Sequence, residues 1–286
     1  MKDLGLLKSY LGIDFQYGSN FISMSQSRFI EKILEKFDMK DAKTKVLPCD
    51  AGMTMFNCSQ SKLLENPTLF RAIIGSLVYI NTCTRPEISY IVTRLSQYMD
   101  KPTKAHLALA KDVLRYLKGT IDQELIFYKS KNIVQLIGYC DSDYAGSDDR
   151  KSTSGYCFKL NEESALISWK TKKQKIVCLS SCEAEYVAMT HSIQEGKFLC
   201  KLLSDMQNTN LSKFSLFVDN QGAMKLAYNP INQQRSKHID VKYHFIRSEI
   251  QCGAVELKYV QSCFNLGDMF TKALSRTKLD KFNFSG

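Results

Sequence analysis

The sequence predicts an α/β protein of the α+β kind, a mixed five-stranded sheet with helices packed on it, preceded by a β-hairpin and a small helical subdomain. Three observations predict it. Strand-length apolar runs follow one another closely from about Val134 to Lys170, and further runs then alternate with helical periodicity as far as Leu274. Ahead of them, two apolar stretches between Tyr10 and Ser25 flank a turn, and Arg28 to Leu117 is dominated by helical spacing of apolar residues. At 286 residues and 44% hydrophobic, the chain is long enough to bury two cores.

In the first part, Tyr10 to Phe15 and Phe21 to Ser25 surround Gln16-Tyr17-Gly18-Ser19-Asn20, a hairpin signature. Ser27 reads as an N-cap for a helix to Phe37, with Phe29, Ile30, Ile33, Leu34 and Phe37 on one face. Lys43 to Asn66 reads as a polar, mobile loop, with Pro48 within it and Pro67 just after it. Helices follow over Phe70 to Cys83, Arg85 to Met99 and Lys104 to Leu117, the last expected to close on a left-handed Gly119. Lys104, Lys111, Arg115 and Lys118 recur at helical spacing, either as a solvated face or as one that follows phosphates.

The second part reads as strands over Val134–Asp141, Gly155–Leu160 and Leu166–Lys170, then a short apolar run over Ile176–Leu179. A helix over Cys182–Met206 and a strand over Phe214–Val218 come next, followed by helices over Asn220–Tyr228 and Ile239–Gln251. A strand over Ala254–Val260 and a helix over Leu266–Leu274 complete it. The basic residues Lys170, Lys172, Lys173 and Lys175 read as an exposed turn between strands. The expected domains are 1–130, 131–275 and a tail over 276–286.

The balance of 39 Lys and Arg against 29 Asp and Glu gives a formal charge of +10, divided evenly between the two parts. Such a surface favours a polyanionic partner, although a basic surface with no partner has the same composition. Ten cysteines occur without a CxxC pair or a signal-like opening segment, so reduced thiols of the cytosol or nucleus are expected rather than a secreted disulfide framework. Cys178 and Cys182 lack the further thiols or histidines that a zinc site needs. No apolar run has membrane-spanning length, and no membrane partner is expected.

Four acids draw attention. Asp141 stands where an apolar strand gives way to a turn, and Asp219 directly follows another strand. Glu185 shares a helical face with Ala188 and Met189, whereas Glu183, two positions away, points elsewhere. Asp268 lies near a helix start. Singly, each has an ordinary reading: a turn residue at Asp141, helix N-caps at Asp219 and Asp268. Gathered together they would repel one another unless divalent cations were present, and paired Mg²⁺ ions are the agents of phosphodiester hydrolysis. An integrase-like triad using Asp219 and Glu256 is set aside, because strand alternation points Glu256 away from the apolar face.

Tyr10-Leu11-Gly12-Ile13, Phe70-Arg71-Ala72-Ile73-Ile74-Gly75, Thr84-Arg85-Pro86-Glu87 and Leu114-Arg115-Tyr116-Leu117-Lys118-Gly119, with Met1 to Gly5, resemble the end of a reverse transcriptase from Ty1/copia-type retrotransposons. The resemblance implies a primer-gripping hairpin and a thumb that hold a template-primer duplex. Polymerase activity is not expected, because the metal-binding Tyr-x-Asp-Asp turn is missing and the adjacent Asp148 and Asp149 follow Ser147 in a polar loop.

Gly138 to Gly146, Arg150 to Tyr156, Ile167 to Lys170, Leu179 to Tyr186, Asp219-Asn220-Gln221, Lys237 to Asp240 and Asp268 to Lys272 resemble, in order, the ribonuclease H domain of the same elements. The resemblance implies that Asp141, Glu185, Asp219 and Asp268 are the catalytic, metal-binding acids, taking two Mg²⁺ ions with Mn²⁺ as a substitute. It further implies that Ser180, Ser181, Asn220 and Gln221 contact an RNA·DNA hybrid. The histidine that many such enzymes carry before the last acid is missing from Val260 to Asp268, and His238 and His244 are left unassigned.

An endonuclease that cuts the RNA strand of hybrids is therefore expected, in a cytoplasmic retrotransposon particle or the nucleus, with the palm and fingers of an upstream reverse transcriptase as partners. The alternative is a catalytically silent, hybrid-binding relic of a decayed or host-captured element.

Overall fold

The computed structural model of the chain describes residues 5–51, 58–129, 135–147, 149–208, 210–228 and 237–282, with only the backbone of 237–241 and 243. Met1 to Leu4, Val134, Asp148 and the side chains of Lys237, His238, Ile239 and Asp240 lie outside the described residues. The chain divides into two compact units. One comprises Met1–Lys129, Glu163–Ala165 and Ala273–Gly286, and the other Ser130–Glu162 and Leu166–Lys272.

In the first unit, strands β1 (Ser9–Tyr10), β2 (Ile13–Tyr17), β3 (Phe21–Ser25) and β4 (Leu125–Tyr128) form an antiparallel sheet in that order. The expected hairpin is β2 and β3; β4 joins the free edge of β3, pairing Met24 with Leu125 and Phe21 with Tyr128. Helices α1 (Ser27–Lys36), α2 (Thr68–Cys83), α3 (Ser89–Ser96) and α4 (Lys104–Gly119) enclose a core that includes Ile30, Phe70, Ile74, Leu77 and Val113. A 3-10 turn over Pro86–Ile88 separates α2 from α3, so the helix expected from Arg85 is shorter, its start taken up by a proline-led turn.

Three local expectations are corrected. Gln26, not Ser27, occupies the N-cap of α1, and the Ser27 hydroxyl instead donates to the Ile121 carbonyl at 2.9 Å. Gly119 is the last helical residue rather than a left-handed cap; a Cβ there would come within 3.2 Å of the Lys45 carbonyl, a tight approach that glycine eases. The segment after Lys43 is anchored where it is described: Cys49 and Cys58 are buried, Leu63 bridges to Thr103, and the Leu64 amide donates to Pro102. Two members of the basic face of α4 hold this segment, Arg115 donating to the Lys43 carbonyl and Lys118 to that of Ala42.

Under the 3-10 turn lies a fully buried Arg85. Its Nε donates to Glu87 at 2.7 Å, and its other nitrogens donate to the Thr120 carbonyl and to Gln123 Oε1. A buried guanidinium is tolerable only with its donors satisfied in this way.

In the second unit, β5 (Ile137–Asp143), β6 (Thr153–Lys159), β7 (Leu166–Lys173), β8 (Phe214–Val218) and β9 (Val255–Tyr259) form a five-stranded sheet in the order β7-β6-β5-β8-β9. The β5–β6 and β6–β7 pairs are antiparallel, and β5–β8 and β8–β9 parallel. Against it packs α5 (Ser181–Gln207), with α6 (Gln221–Tyr228) and α7 (Lys237–Gln251) beside it, over a core of Phe158, Met189, Ile193, Phe214 and Leu216. Gly196 lets α5 approach β8, since a Cβ there would lie 2.4 Å from the Phe214 ring.

Lys170, Lys172 and Lys173 are corrected from a turn to an edge strand, β7, where Thr171 between them is buried. Lysines on an edge are a common guard against strand-to-strand association. Ile176–Leu179 is loop, and the helix expected over Leu266–Leu274 is a 3-10 turn, Leu266–Phe270. Arg276–Lys281, in the expected tail, forms a short helix α8. Among the described residues, no helix is long and apolar enough to cross a membrane.

Candidate metal centre

The sheet topology brings the acids toward one place. β5 and β8 are adjacent and parallel, with Tyr139 opposite Phe217, so Asp141 and Asp219 both emerge near the carboxyl ends of neighbouring strands. β5 runs two residues beyond its expected end, and Asp141 is paired with Gly155 inside the ladder, not in a turn. Asp219 is not the cap of α6. Asn220 takes that role, its Oδ1 accepting from the Ala223 amide at 2.9 Å, which leaves the aspartate free of capping.

Glu185 reaches the same place from α5. Ser180 caps that helix, its Oγ accepting from the Glu183 amide at 3.2 Å, and Glu183 Oε2 reaches back to accept from the Leu179 amide at 2.7 Å. With Glu183 engaged at the helix start, Glu185 lies on the buried face shared by Ala188, Met189 and Ser192. Its Oε1 accepts from the Ser142 amide at 3.1 Å, and its Oε2 is buried with no partner among the described residues.

Carboxylate oxygens of Asp141, Glu185 and Asp219 all lie within 4.8 Å of one another. Asp268 is not part of that group. It sits in the 3-10 turn Leu266–Phe270, almost fully buried, with Lys272 Nζ 2.8 Å from its Oδ1 and 3.7 Å from Asp141 Oδ2. The Thr271 hydroxyl also donates to Asp141 Oδ2.

This last turn is fastened directly to β5. Asn265 Nδ2 donates to the Cys140 carbonyl at 3.0 Å, and its Oδ1 accepts from the Gly267 amide at 3.0 Å. A Cβ on Gly267 would lie 2.7 Å from the Cys140 carbonyl carbon and 2.8 Å from the Asp141 nitrogen, so only glycine fits there. Gly155, across from Asp141 in β6, gives the same clearance to Phe270 and Thr271.

The electrostatics follow from this crowding. Burial pushes the Asp141 carboxyl up to about 7, Lys272 and the Thr271 bond opposing the rise and Asp268 and Asp219 adding to it. Burial, then Asp141 and Asp219, raise Glu185 well above the carboxylate range. Lys272 is pushed up to about 12, because the surrounding acids outweigh its own burial.

The donor set fits a divalent cation: three convergent hard oxygen ligands, one of them an orphaned buried carboxylate oxygen, in a pocket where anionic forms are otherwise disfavoured. Asp141, Glu185 and Asp219 are the residues that could hold it.

Ser180 and Ser181 are exposed at the start of α5, and Asn220 and Gln221 begin α6 beside Asp219. His244 is exposed on α7, and Glu256 pairs with Lys213 and Lys258 rather than joining the acids. Lys272, Thr271 and Asn265 were not singled out by sequence reasoning. The available signal was Lys272 four residues after Asp268, a spacing that brings side chains together on a helical turn.

A β7-β6-β5-β8-β9 sheet with this mixture of parallel and antiparallel pairs, helices against it and acids within β5 and directly after β8 is a ribonuclease H-like fold. Residues 1–51 match the family model for reverse transcriptase (RNA-dependent DNA polymerase). Over 283 residues the chain is 40% identical to the retrovirus-related Pol polyprotein from transposon RE1 of Arabidopsis thaliana, a match covering 99% of this chain and 19% of that protein. It is 34% identical over 288 residues to the corresponding polyprotein from transposon TNT 1-94 of Nicotiana tabacum, covering 98% of this chain and 21% of that one. The chain thus spans about one fifth of the length of these curated relatives. A solved structure of LC11-RNase H1 isolated from compost is 12% identical, with a TM-score of 0.37 over 52% of this chain and 99% of that one. The chain belongs to the Pol polyproteins of Ty1/copia-type retrotransposons.

Proposed function

We propose that the second unit is a Mg²⁺-dependent endonuclease that hydrolyses the RNA strand of RNA·DNA hybrids during reverse transcription, with Asp141, Glu185, Asp219 and Asp268 as its catalytic acids. The observation that carries the reading is the convergence of three carboxylates around an orphaned Glu185 oxygen, a crowding that a bound divalent cation relieves without protonating the acids. Bound Mg²⁺ supplies a nucleophilic water at neutral pH and stabilises the leaving oxygen.

The chain's own residues supply the rest. Asp141 and Asp219 hold position on rigid parallel strands, and the Ser142 amide orients Glu185. Asp268 is carried by a turn that Asn265 and Gly267 clamp onto β5. Ser180, Ser181 and Gln221 are exposed and Asn220 half-buried at the starts of α5 and α6, where hydroxyl and amide groups can meet 2′-hydroxyls in the minor groove of a hybrid. The first unit, on this reading, is the end of a reverse transcriptase that holds the template-primer duplex and works with the upstream palm and fingers. The retrotransposon particle is the proposed setting.

The test is incubation of purified protein with a labelled hybrid and Mg²⁺. Cleavage of the RNA strand, lost in Asp141→Asn and Glu185→Gln while hybrid binding persists, is expected. Binding without cleavage by the wild type would favour the silent relic, and equal cleavage by all three proteins would remove the acids from the mechanism.

A further inference from the structure

We propose that Lys272 is a built-in cation of the acidic site: its ammonium ties Asp268 to Asp141, and a second divalent ion binds only by displacing it. The inference rests on the reading of these acids as a divalent-metal site.

The four acids are divided in two by their surroundings. Asp141, Glu185 and Asp219 converge without any cation among the described residues being shared by all three, and Glu185 Oε2 lacks a partner. Asp268 stands outside that group with Lys272 Nζ 2.8 Å away, and the same nitrogen lies 3.7 Å from Asp141 Oδ2. Asp141 therefore belongs to both sets, and a positive charge already stands between it and Asp268.

Exposure is equally unequal. The Asp141 and Asp268 side chains are 4% and 1% exposed, held by β5 and by the clamped turn, whereas the Lys272 side chain is 44% exposed. The ammonium is carried on a flexible four-carbon stem and can swing outward, but the carboxylates cannot follow it. An ion entering the group of three shares only Asp141 with Lys272, whose Nζ is 3.7 Å from Asp141 Oδ2, and meets no ion pair at Glu185 or Asp219 among the described residues. A second ion held by Asp268 would meet the repulsion of a unit positive charge that stands 2.8 Å from Asp268 Oδ1 until Lys272 leaves. The arrangement makes the two ions unequal in affinity and keeps Asp268 compensated at low metal concentration.

The experiment is calorimetric titration of the full chain with Mg²⁺, repeated with Mn²⁺ followed by electron paramagnetic resonance, for wild type, Lys272→Met, Lys272→Gln and Lys272→Arg. Wild type is expected to take one ion with a second at least about tenfold weaker, and either neutral variant to tighten that second ion by about tenfold or more. Lys272→Arg, which keeps the charge, is expected to retain the weak second site. In EDTA, the neutral variants are expected to melt at a lower temperature than wild type and Lys272→Arg, and to gain more from added Mg²⁺. Second-ion affinities in both neutral variants within about twofold of wild type would overturn the proposal while leaving the metal reading intact. Failure of every protein, wild type included, to bind either ion would instead overturn the metal reading and this inference with it.

Discussion

The carboxamide of Asn265 donates to the backbone carbonyl of Cys140 at 3.0 Å, joining residues 125 apart in the chain immediately beside Asp141. The same side chain accepts from Gly267, so one buried residue fastens the last acid-bearing turn to the first acid-bearing strand. Asn265→Ala would leave a buried carbonyl and a buried amide unsatisfied, a cost of about 1–3 kcal/mol. Denaturant unfolding should register that loss. Gly267→Val should be worse, since its side chain would meet the Cys140–Asp141 backbone.

The crowded carboxyls make stability depend on pH. Asp141 is pushed up to about 7 and Glu185 is raised as well, so both bind a proton more tightly folded than unfolded. Their stabilising contribution is full below an unfolded carboxyl pKa of about 4 and is lost as pH rises through the folded value. In EDTA, the wild-type melting temperature should therefore fall relative to Asp141→Asn as pH rises from about 4 through about 7. Mg²⁺ should flatten the difference.

Ser180 separates a structural role from a binding one. As the N-cap of α5 it holds the Glu183 amide, and Ser180→Ala should cost about 1 kcal/mol of stability. Ser180→Asp keeps a capping oxygen and should restore most of that loss. If Ser180 also contacts the hybrid, Ser180→Asp should not restore hybrid affinity, because it sets a negative charge against the phosphates. Parallel melting curves and hybrid-binding isotherms distinguish the two.

In the first unit, Arg85→Ala would strand the Glu87 carboxylate in the interior, and a loss of about 3–5 kcal/mol is expected. Arg85→Ala with Glu87→Ala should cost less than the sum of the two single changes. Urea unfolding followed by circular dichroism measures both.

Much of this architecture is written locally. The strand over Phe214–Val218 and the course of α5 follow from apolar periodicity, and three of the four expected acids meet because each lies beside such an element. What escaped reading depends on distant partners. β4 is a strand because β3 offers it an edge, a pairing about a hundred residues away that no local pattern announces. Lys170 to Lys173 reads as a turn by composition, yet buried Thr171 and the β6 ladder make it an edge strand. The ion pair of Lys272 with Asp268 and Asp141 escaped because periodicity locates elements but says nothing of which charges a clamped turn sets side by side.

Metal-dependent hydrolysis by the gathered acids is tested most directly by one assay: the rate of RNA-strand cleavage in a labelled RNA·DNA hybrid, with Mg²⁺ or EDTA, for wild type and Asp141→Asn. Cleavage by wild type with Mg²⁺ alone, reduced at least about a hundredfold in the variant, is the predicted result. Cleavage that persists in EDTA, or an Asp141→Asn protein as active as wild type, would contradict it.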